Sequence, residues 1–367
     1  MANAIQFMNY GAPYPGNFMR SMLALERELE RSGSTCVFVF PATAERFDWV
    51  NELRQAGKKI FFATGGVVRD ARLLVSLAER YRIDVVHSHF ASAGMLLAIR
   101  LARLARPELG WVVHVHNHEQ GRSRLKNRVK RALMAADRYV AVSEHVHADL
   151  LERGYDPRKC VSVLNAVDFS RLDSAGAAPA EAGGDSRKKV LMFGFDFERK
   201  GVDIALEALG RYDSRHEALL MIVLAANFDA VRSRIEGMFG RVPEWVELLP
   251  PNDNVAAYYR MADVFISPSR EEGLPYALIE AAYCGLCLVA SDIGGQTALG
   301  IPGLTHFKSE DPRGLYEALK AAENSSPAPA RDYVVKRFRL EKWVRDIVGL
   351  YAGLPSRGGA LPRYRTP

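Results

Sequence analysis

Cysteine is scarce in this sequence, with four residues in a chain of 367. So few cysteines in so long a chain do not make a disulfide framework, and reduced thiols are expected. Cys284 and Cys287 form a CxxC pair, but zinc binding needs a second pair of ligands and a thioredoxin-type site needs a helix that begins after the motif. The pair instead closes a helical pattern, so we expect two small, buried apolar side chains.

Long apolar runs and a dominant charge are also absent. No uninterrupted run could cross a bilayer, and the amino-terminal stretch MANAIQFMNYG enters a strand-like segment without a targeting leader. The 49 basic and 43 acidic residues leave a net charge of +6, and no recognisable nucleic-acid-binding module accompanies it. The sequence therefore predicts a cytoplasmic protein without a nucleic-acid partner, and a peripheral position on the inner face of the cell membrane stays open.

The composition is 48% hydrophobic and 25% charged, which is typical of a globular protein, and the length suits two domains of roughly 100–200 residues. Strand-like runs such as TCVFVFPA and DVVHSHF alternate with helical patterns such as NFMRSMLALERELERSG. Such alternation means right-handed βαβ units and parallel sheets. We predict an α/β protein of two doubly wound, Rossmann-like domains that face a central cleft.

Shifts in composition place the domain boundaries. The stretch RLDSAGAAPAEAGGDSRK is small and polar without periodicity, which is typical of a linker. The final stretch PSRGGALPRYRTP has too little apolar content to order itself. The predicted parts are a first domain 1–170, a linker 171–188, a second domain 189–335, a helix 336–354 and a disordered tail 355–367.

One segment, GRSRLKNRVKRALMAADRY, concentrates basic charge. Its cations at residues 122–131 surround apolar residues spaced by three or four, which predicts an amphipathic helix with a basic face. This face is either the solvated side of a domain or a contact with an anionic membrane surface or acidic acceptor.

The stretch SREEGLPYALIEAAYCG places Glu272 and Glu280 around a glycine and proline turn. Pro275 suits a first helical turn, so a helix is expected from about there to residue 285. Exposed backbone N–H groups of Gly273, Leu274 and Tyr276, with the positive end of the helix, would form a phosphate site. The two carboxylates would lie on the order of 12 Å apart along the axis, about the span from a sugar across a diphosphate to a ribose. Alternatively, Glu280 is a buried carboxylate paired with a neighbouring base.

The longer segment FISPSREEGLPYALIEAAYCGLCLVASDIGG resembles the donor-binding signature of the retaining GT-B glycosyltransferases of family GT4, the glycosyl transferases group 1. The segments VLNAVDFSRL, YVAVSEHV and FGFDFERKGVDIALEAL also fall in the family's order, and the resemblance runs from about residue 10 to residue 351. It implies a GT-B fold, in which an acceptor-side first domain is followed by a nucleotide-sugar-binding second domain. The final helix would cross back to the first domain.

The resemblance assigns the two glutamates to opposite ends of a nucleotide-sugar. Glu272 would hydrogen-bond hydroxyls of the donor sugar, and Glu280 would hold the ribose hydroxyls. The turn between them would bind the donor through Gly273, Leu274 and Pro275.

Lys200 corresponds to the family's phosphate-binding lysine and would neutralise the diphosphate leaving group. Five residues earlier, where the family usually has arginine, this chain has Phe195. Either Arg199 supplies the second cation from a shifted position or the phosphates are held with less charge.

In the first domain, the loop NYGAPYPGNFMRSM places Gly16 and Asn17 where the family has a glycine loop near the phosphates and acceptor. A second cluster is made of histidines, and His116 corresponds to the family's histidine that contacts the donor sugar near its reacting face. We interpret His89 and His114 as supporting or core residues. Because alternate histidines on one strand face can share a metal ion, a metal site is the alternative interpretation of His87, His89, His114, His116 and His118.

The resemblance implies a retaining, metal-independent hexosyltransferase without a cofactor. It would move a hexose or N-acetylhexosamine from a nucleotide-sugar, by default UDP-linked, to a glycan or lipid-linked acceptor in cell-surface polysaccharide synthesis. Two alternatives remain: a non-catalytic nucleotide-sugar-binding protein, suggested by Phe195 and Ala298, and a sugar-nucleotide 2-epimerase.

Overall fold

Alternating apolar strands and amphipathic helices build two parallel sheets, each in its own structural unit. One unit consists of the described residues of Met1–Ala166 and Leu340–Pro367, and the other is Val167–Arg339. The computed structural model describes residues 2–116, 131–132, 135–173, 186–224, 227–250, 255–322 and 328–354.

The first sheet has seven parallel strands in the order β3-β2-β1-β4-β5-β6-β7. Because helices cover both faces, the central strands β1 and β4 are buried at every residue. The strands are β1 Ala4–Met8, β2 Cys36–Pro41, β3 Ile60–Ala63, β4 Val85–His89, β5 Gly110–Val115, β6 Arg138–Ala141 and β7 Cys160–Ser162. The helices of this unit are Gly16–Arg31, Asp48–Gln55, Val67–Tyr81, Ala93–Ala105, Glu144–Glu152 and Leu340–Ala352, with a 3-10 turn at Ala42–Arg46.

The helix Leu340–Ala352 lies at the end of the described chain but packs in the core of the first unit. Trp343, Ile347 and Tyr351 are buried there among residues of the helix Gly16–Arg31 and of the sheet. The last helix is therefore part of the first unit's core.

The second sheet has six parallel strands in the order β10-β9-β8-β11-β12-β13. The strands are β8 Lys188–Phe193, β9 Ala218–Val223, β10 Val246–Leu249, β11 Val264–Ser267, β12 Cys287–Ser291 and β13 Leu304–Phe307. The helices are Ser170–Asp173, Val202–Tyr212, Phe228–Phe239, Val255–Met261, Tyr276–Cys284, Gly294–Thr297, Pro312–Ala322 and Ala328–Arg337.

Both sheets confirm the predicted doubly wound topology. Their strand order reverses between β1 and β4 in the first sheet and between β8 and β11 in the second. In such sheets, ligands bind beyond the carboxyl ends of the strands at this switch point. A binding site is therefore expected at the loops after these four strands.

Several sequence predictions need correction. The edge strand β13 and the helix Ala328–Arg337 were not predicted, because LTHF is short and half polar and the helix has little amphipathicity. Cys284 and Cys287 are not joined in a disulfide, as predicted, but both are half-buried rather than buried.

The predicted linker and tail fall largely outside the described residues. Residues 171–173 belong to the helix Ser170–Asp173 and Lys188 begins β8, so neither end of the predicted linker is unstructured. The domain boundaries at 170 and 188 stay predictions, and the tail 355–367 lies outside the described chain.

Most of the basic segment 122–131 also lies outside the described residues, and its last member has a structural contact. Arg131 Nη1 donates to the carbonyl oxygens of Arg153 at 2.8 Å and Gly154 at 3.1 Å. Arg131 thus satisfies carbonyls at the end of the helix Glu144–Glu152. Among the described helices, none combines the length and apolar character needed to span a membrane.

Gly201, directly before the helix Val202–Tyr212, is required for close packing in the second unit. Its φ of 66° is left-handed, and a Cβ there would lie 2.0 Å from the Pro268 carbonyl oxygen. Only glycine allows the loop after β8 to approach the end of β11 so closely.

We expect Gly201→Ala to lower the free energy of unfolding by about 3 kcal/mol or more, since it combines left-handed strain with overpacking against backbone. The matched control is Gly240→Ala, where φ is 78° but no atom lies within 4 Å of the new Cβ. The control substitution should lower the free energy of unfolding by only about 1 kcal/mol. Urea unfolding followed by circular dichroism measures both, and equal losses would show that the contact with Pro268 is unimportant.

Candidate functional site

The segment Pro268–Glu272, after β11, is held by close backbone contacts on two sides. Arg270 N donates to Arg199 O at 2.8 Å, beside the Gly201 contact. On the other side, a Cβ on Gly295 would lie 1.9 Å from Glu272 O. The loops after β8 and β12 therefore fix the position of Glu272.

Arg270 adds a charged tie between the same loops. Its guanidinium donates to both Asp203 carboxylate oxygens at 2.8 Å and to Glu310 Oε2 at 2.8 Å. These two carboxylates raise the pKa of Arg270 above its ordinary value through hydrogen bonds and charge. Sequence reasoning missed this residue, although it directly precedes the two glutamates of SREEG.

Glu272 pairs with the predicted phosphate-binding lysine. Its Oε1 accepts from Lys200 Nζ at 2.5 Å and from Ser269 Oγ at 2.9 Å. Its Oε2 lies 4.0 Å from Arg199 Nη1. Because Lys200 follows β8 and Glu272 follows β11, the structure brings both to the switch point of the second sheet.

Phe195, at the position of the missing arginine, covers the same two cations. Its ring is 45% exposed, and its centroid lies 4.6 Å from Lys200 Nζ and 5.6 Å from the Arg199 guanidinium carbon. Both distances are within the range of cation–π attraction. Arg199 is therefore a second cation beside Glu272, and its replacement of the family's arginine at the donor phosphates stays a prediction.

The turn at Gly273, Leu274 and Pro275 is more enclosed than predicted. All three residues are buried, whereas we expected exposed N–H groups at Gly273 and Leu274. The helix Tyr276–Cys284 follows with Pro275 at its N-cap and without a side-chain cap. The predicted helix is confirmed, and its first turn lies next to Glu272.

A buried set of polar side chains supports the segment 268–272. Gln296 Nε2 donates to Ser267 Oγ at 2.6 Å, and Ser291 Oγ donates to Ser269 O at 2.6 Å. Since Ser269 Oγ also donates to Glu272, this set connects β12 to the carboxylate. Sequence reasoning missed it, because serine and glutamine carry no distinctive spacing.

Glu280 lies in a separate, buried ion pair. Its Oε1 is hydrogen-bonded to Arg171 Nη2, and its Oε2 accepts from Tyr259 Oη at 3.0 Å. The side chains of Arg171 and Glu280 are only 11% and 6% exposed. Burial and the Glu280 charge raise the pKa of Tyr259 well above its ordinary value, so the hydroxyl keeps its proton. The structure thus shows Glu280 paired with a basic residue, and its contact with ribose hydroxyls stays a prediction.

Arg171 comes from the helix Ser170–Asp173, which is held against the rest of the second unit. Arg260 donates to the carbonyls of Leu172 at 3.0 Å and Asp173 at 3.1 Å. Tyr283 Oη donates to Asp173 Oδ1 at 2.8 Å. Sequence reasoning did not predict Arg171, because 109 residues separate it from Glu280.

In the first unit, Gly16 and Asn17 begin the helix Gly16–Arg31. Gly16 has a left-handed φ of 55°, and Tyr10 Oη lies close to its backbone. The Asn17 side chain is buried and donates to Ala166 O at 2.6 Å. This bond gives Asn17 a structural role, and its contact with a donor stays a prediction.

The carboxyl ends of β4 and β5 carry the predicted histidines in a buried cluster. Among the described residues, His87, His89 and His114 have potential ligand nitrogens within 4.8 Å of one another. However, these nitrogens also contact one another and neighbouring polar groups, as in the 3.2 Å contact of His114 Nδ1 with His87 Nε2. Burial lowers the pKa of all three, that of His114 to about 3, so the imidazoles are neutral. His118 lies outside the described residues.

His116, just after β5, is half-buried and stacks on Phe90, with ring centroids 3.9 Å apart. Phe90 has a φ of 52°, which is costly for an aromatic residue and occurs preferentially at functional sites. His89 Nδ1 lies 3.3 Å from His116 Nε2. His116 therefore lies beyond β5, next to the switch-point strand β4.

Solved glycosyltransferase structures resemble this chain in fold. A glycosyltransferase from Rickettsia africae matches with a TM-score of 0.80 at 17% identity, over 96% of this chain and 98% of that one. Anabaena HepE in complex with UDP and glucose matches with a TM-score of 0.78 at 16% identity, over 96% and 100%. The chain has the GT-B fold.

A relative in sequence is the alpha-maltose-1-phosphate synthase of Mycolicibacterium smegmatis, 28% identical over 227 residues. The match covers 56% of this chain and 58% of the relative's length.

Two family models account for most of the chain. The model for Glycosyltransferase Family 4 matches residues 20–171, and that for Glycosyl transferases group 1 matches residues 187–324. The resemblance inferred from FISPSREEGLPYALIEAAYCGLCLVASDIGG is thereby confirmed. The chain belongs to glycosyltransferase family 4, the group 1 glycosyltransferases.

Proposed function

We propose that this glycosyltransferase moves a hexose or N-acetylhexosamine, with retention at the anomeric carbon, from a nucleotide-sugar to a glycan or lipid-linked acceptor in cell-surface polysaccharide synthesis. The observation that carries the proposal is the Glu272–Lys200 pair at the switch point of the second sheet. A carboxylate accepts hydrogen bonds from sugar hydroxyls, and an ammonium beside it attracts a diphosphate.

The described contacts leave both glutamates able to accept more hydrogen bonds. A carboxylate has about four lone-pair sites. Glu280 uses one oxygen for Arg171 and the other for Tyr259, and Glu272 accepts from Lys200 and Ser269 through Oε1. Ribose hydroxyls at Glu280 and sugar hydroxyls at Glu272 Oε2 can therefore add to the existing bonds instead of breaking them.

In the proposed reaction, the bond between the anomeric carbon and the diphosphate oxygen breaks, and its electron pair goes to the diphosphate. The acceptor oxygen forms the new bond on the same face, and its proton passes to the departing diphosphate oxygen. Lys200 and Arg199 stabilise the growing negative charge, which gives the protein itself the charge needed for metal-independent transfer. We assign no covalent nucleophile, and His116 contacts the sugar.

UDP is the proposed nucleotide. The Anabaena HepE structure is a complex with UDP and glucose, which supports UDP as a donor component in this fold. The second candidate is a non-catalytic nucleotide-sugar-binding protein, and the exposed Phe195 at the position of the family's arginine favours it.

The proposed function is tested by thermal shift with UDP-, GDP-, ADP- and TDP-sugars beside the bare nucleotides, because a ligand of the folded state raises its stability. We expect a selective shift with UDP-sugars. Proton NMR then follows the slow hydrolysis of the donor that shifts, with and without EDTA, and retention predicts the donor's own anomer as the first sugar released. Binding without turnover would favour the non-catalytic candidate, and dependence on metal would contradict the proposed chemistry.

We expect Glu272→Gln to lower the affinity for the UDP-sugar roughly 10- to 100-fold, because it removes a charged acceptor of sugar hydroxyls. The affinity for bare UDP should be unchanged. Glu280→Gln should lower the affinities for UDP and for the UDP-sugar equally, by a factor similar to that of Glu272→Gln. Glutamine is preferred to alanine at position 280, because its amide oxygen can still accept a hydrogen bond from the buried Arg171, whereas alanine offers no acceptor. Isothermal titration calorimetry measures these affinities.

The matched control for both variants is Glu207→Gln, an exposed glutamate of the same unit that pairs with Arg211 on its own helix. It should change neither affinity. If Glu272→Gln and Glu280→Gln affect both ligands equally, the two carboxylates are structural.

We further propose that residues 122–131 bind an anionic membrane surface on the cytoplasmic side, since each Lys or Arg near such a surface contributes about 1 kcal/mol. Changing Arg124, Lys126 and Lys130 to glutamate should reduce pelleting with vesicles that contain about 30% phosphatidylserine at least roughly 100-fold. Arg131 is left intact, because it holds the carbonyls of Arg153 and Gly154.

The control for this experiment reverses the same number of charges on the second unit, at Arg211, Arg215 and Arg241, whose side chains are 68%, 84% and 79% exposed. Pelleting of the control should match that of the wild type, and UDP binding should survive in both triple variants. Undiminished pelleting of the first variant would reject the membrane contact.

A further inference from the structure

A continuous chain of hydrogen bonds links the histidine cluster to a buried glutamine on β1 and a buried tyrosine on the last helix. We call this set the histidine network. Its members are Gln6, His87, His89, His114, His116 and Tyr351, and all but the half-buried His116 are 3% exposed or less.

Gln6 lies at the branch point of the network. Its Nε2 donates to Tyr351 Oη at 2.9 Å, and its Oε1 lies 3.0 Å from His89 Nε2. Gln6 also hydrogen-bonds the Cys36 side chain, which gives the amide NH₂ a second neighbour. In this arrangement the amide NH₂ faces Tyr351 and Cys36, and its oxygen faces His89.

The first branch determines the proton of His116. An amide oxygen carries no proton, so His89 Nε2 must donate to Gln6, and His89 Nδ1 of the neutral ring is a lone pair. The contact between His89 Nδ1 and His116 Nε2 at 3.3 Å therefore has its proton on His116 Nε2. The remaining nitrogen, His116 Nδ1, is left with a lone pair.

The second branch runs away from His116. Since Tyr351 Oη accepts from Gln6, its own proton goes to His87 Nδ1 at 2.7 Å. His87 Nε2 then donates to His114 Nδ1 at 3.2 Å. The branch ends at His114, whose ring has a further side-chain hydrogen bond with the buried Asn165.

We propose that Gln6 and His89 are positioning residues that hold His116 in its Nε2–H tautomer, so that Nδ1 is a fixed hydrogen-bond acceptor for a sugar hydroxyl of the substrate. This inference rests on the proposed function, in which His116 contacts the sugar. A neutral imidazole in water exchanges between two tautomers, one of which would present a donor at Nδ1. The histidine network therefore selects one tautomer of His116 before substrate binds.

The network also favours this role over metal binding. Binding of an ion by His87, His89 and His114 would have to displace the contacts that their nitrogens make with Tyr351, Gln6, His116 and each other.

The direct test is the tautomeric state of the ligand-free, full-length protein labelled with ¹⁵N-histidine. Long-range ¹H–¹⁵N NMR distinguishes protonated from bare ring nitrogens. We expect His87, His89, His114 and His116 all to be neutral Nε2–H tautomers. Because each hydrogen bond from Gln6 to His89 and from His89 to His116 sets the next, an Nδ1–H tautomer at His89 or His116 would overturn the proposal. This test needs only the wild-type protein.

Gln6→Met, similar in length but without the amide oxygen that accepts from His89, should release the first branch and give mixed tautomers at His89 and His116. Transfer or donor hydrolysis should then lose roughly 3- to 10-fold in kcat/KM, as expected for one misplaced neutral hydrogen bond, while the affinity for bare UDP is unchanged. Tyr351→Phe is the matched control, because the Gln6–His89–His116 branch remains and Cys36 still neighbours the amide NH₂. It should keep the His116 tautomer and near-normal kinetics.

Normal kinetics in a folded Gln6→Met protein with mixed tautomers would show that the network is only structural. Binding of equimolar Zn²⁺, seen as shifts of the ring nitrogens, would show a metal site and overturn the proposal. Failure of the proposed function would appear differently, as a wild-type protein with the expected tautomers but no turnover of any nucleotide-sugar.

Discussion

The candidate donor site depends on the close packing of backbone at Gly201 and Gly295. Gly201 lies against the Pro268 carbonyl and Gly295 against the Glu272 carbonyl, so the segment after β11 is enclosed by the loops after β8 and β12. A Cβ at either glycine would separate these loops. The 2.5 Å pair of Lys200 with Glu272 joins two of these closely packed loops. Arg270 and the buried serines then stabilise that arrangement through charge and hydrogen bonds.

Glu272 and Glu280 both pair with cations of the protein, but with different ones. Glu272 pairs with a lysine on the loop after β8, and Glu280 pairs with an arginine from the helix Ser170–Asp173. A buried carboxylate without a cation would be costly, so these partners allow negative charge to persist in an enclosed site. They also hold the carboxylate oxygens in place, as the proposed contacts with sugar and ribose hydroxyls require.

The first unit buries polar histidine rings in its interior. Four histidines at the ends of β4 and β5 are desolvated, and burial lowers the pKa of each of them, so they are neutral. Neutral imidazoles need one donor and one acceptor partner each, and the chain through Gln6 and Tyr351 supplies nearly all of them. Tyr351 belongs to the last helix, so the end of the described chain contributes directly to the interior of the first sheet.

The sequence by itself determined the alternation of strands and helices, and hence two doubly wound parallel sheets, because hydrophobic periodicity is a local property. It also determined the helix after Glu272 and the family, because SREEGLPYALIEAAYCG is contiguous. The short edge strand β13 escaped prediction, since its four residues lack alternation. Only the tertiary structure decided that Arg171 partners Glu280, that Arg199 reaches Glu272 where Phe195 replaces arginine, and that Gln6 and Tyr351 join the histidines. These pairings connect residues up to 345 positions apart, and their identity depends on how strands and helices pack. No local pattern of residue types carries that information.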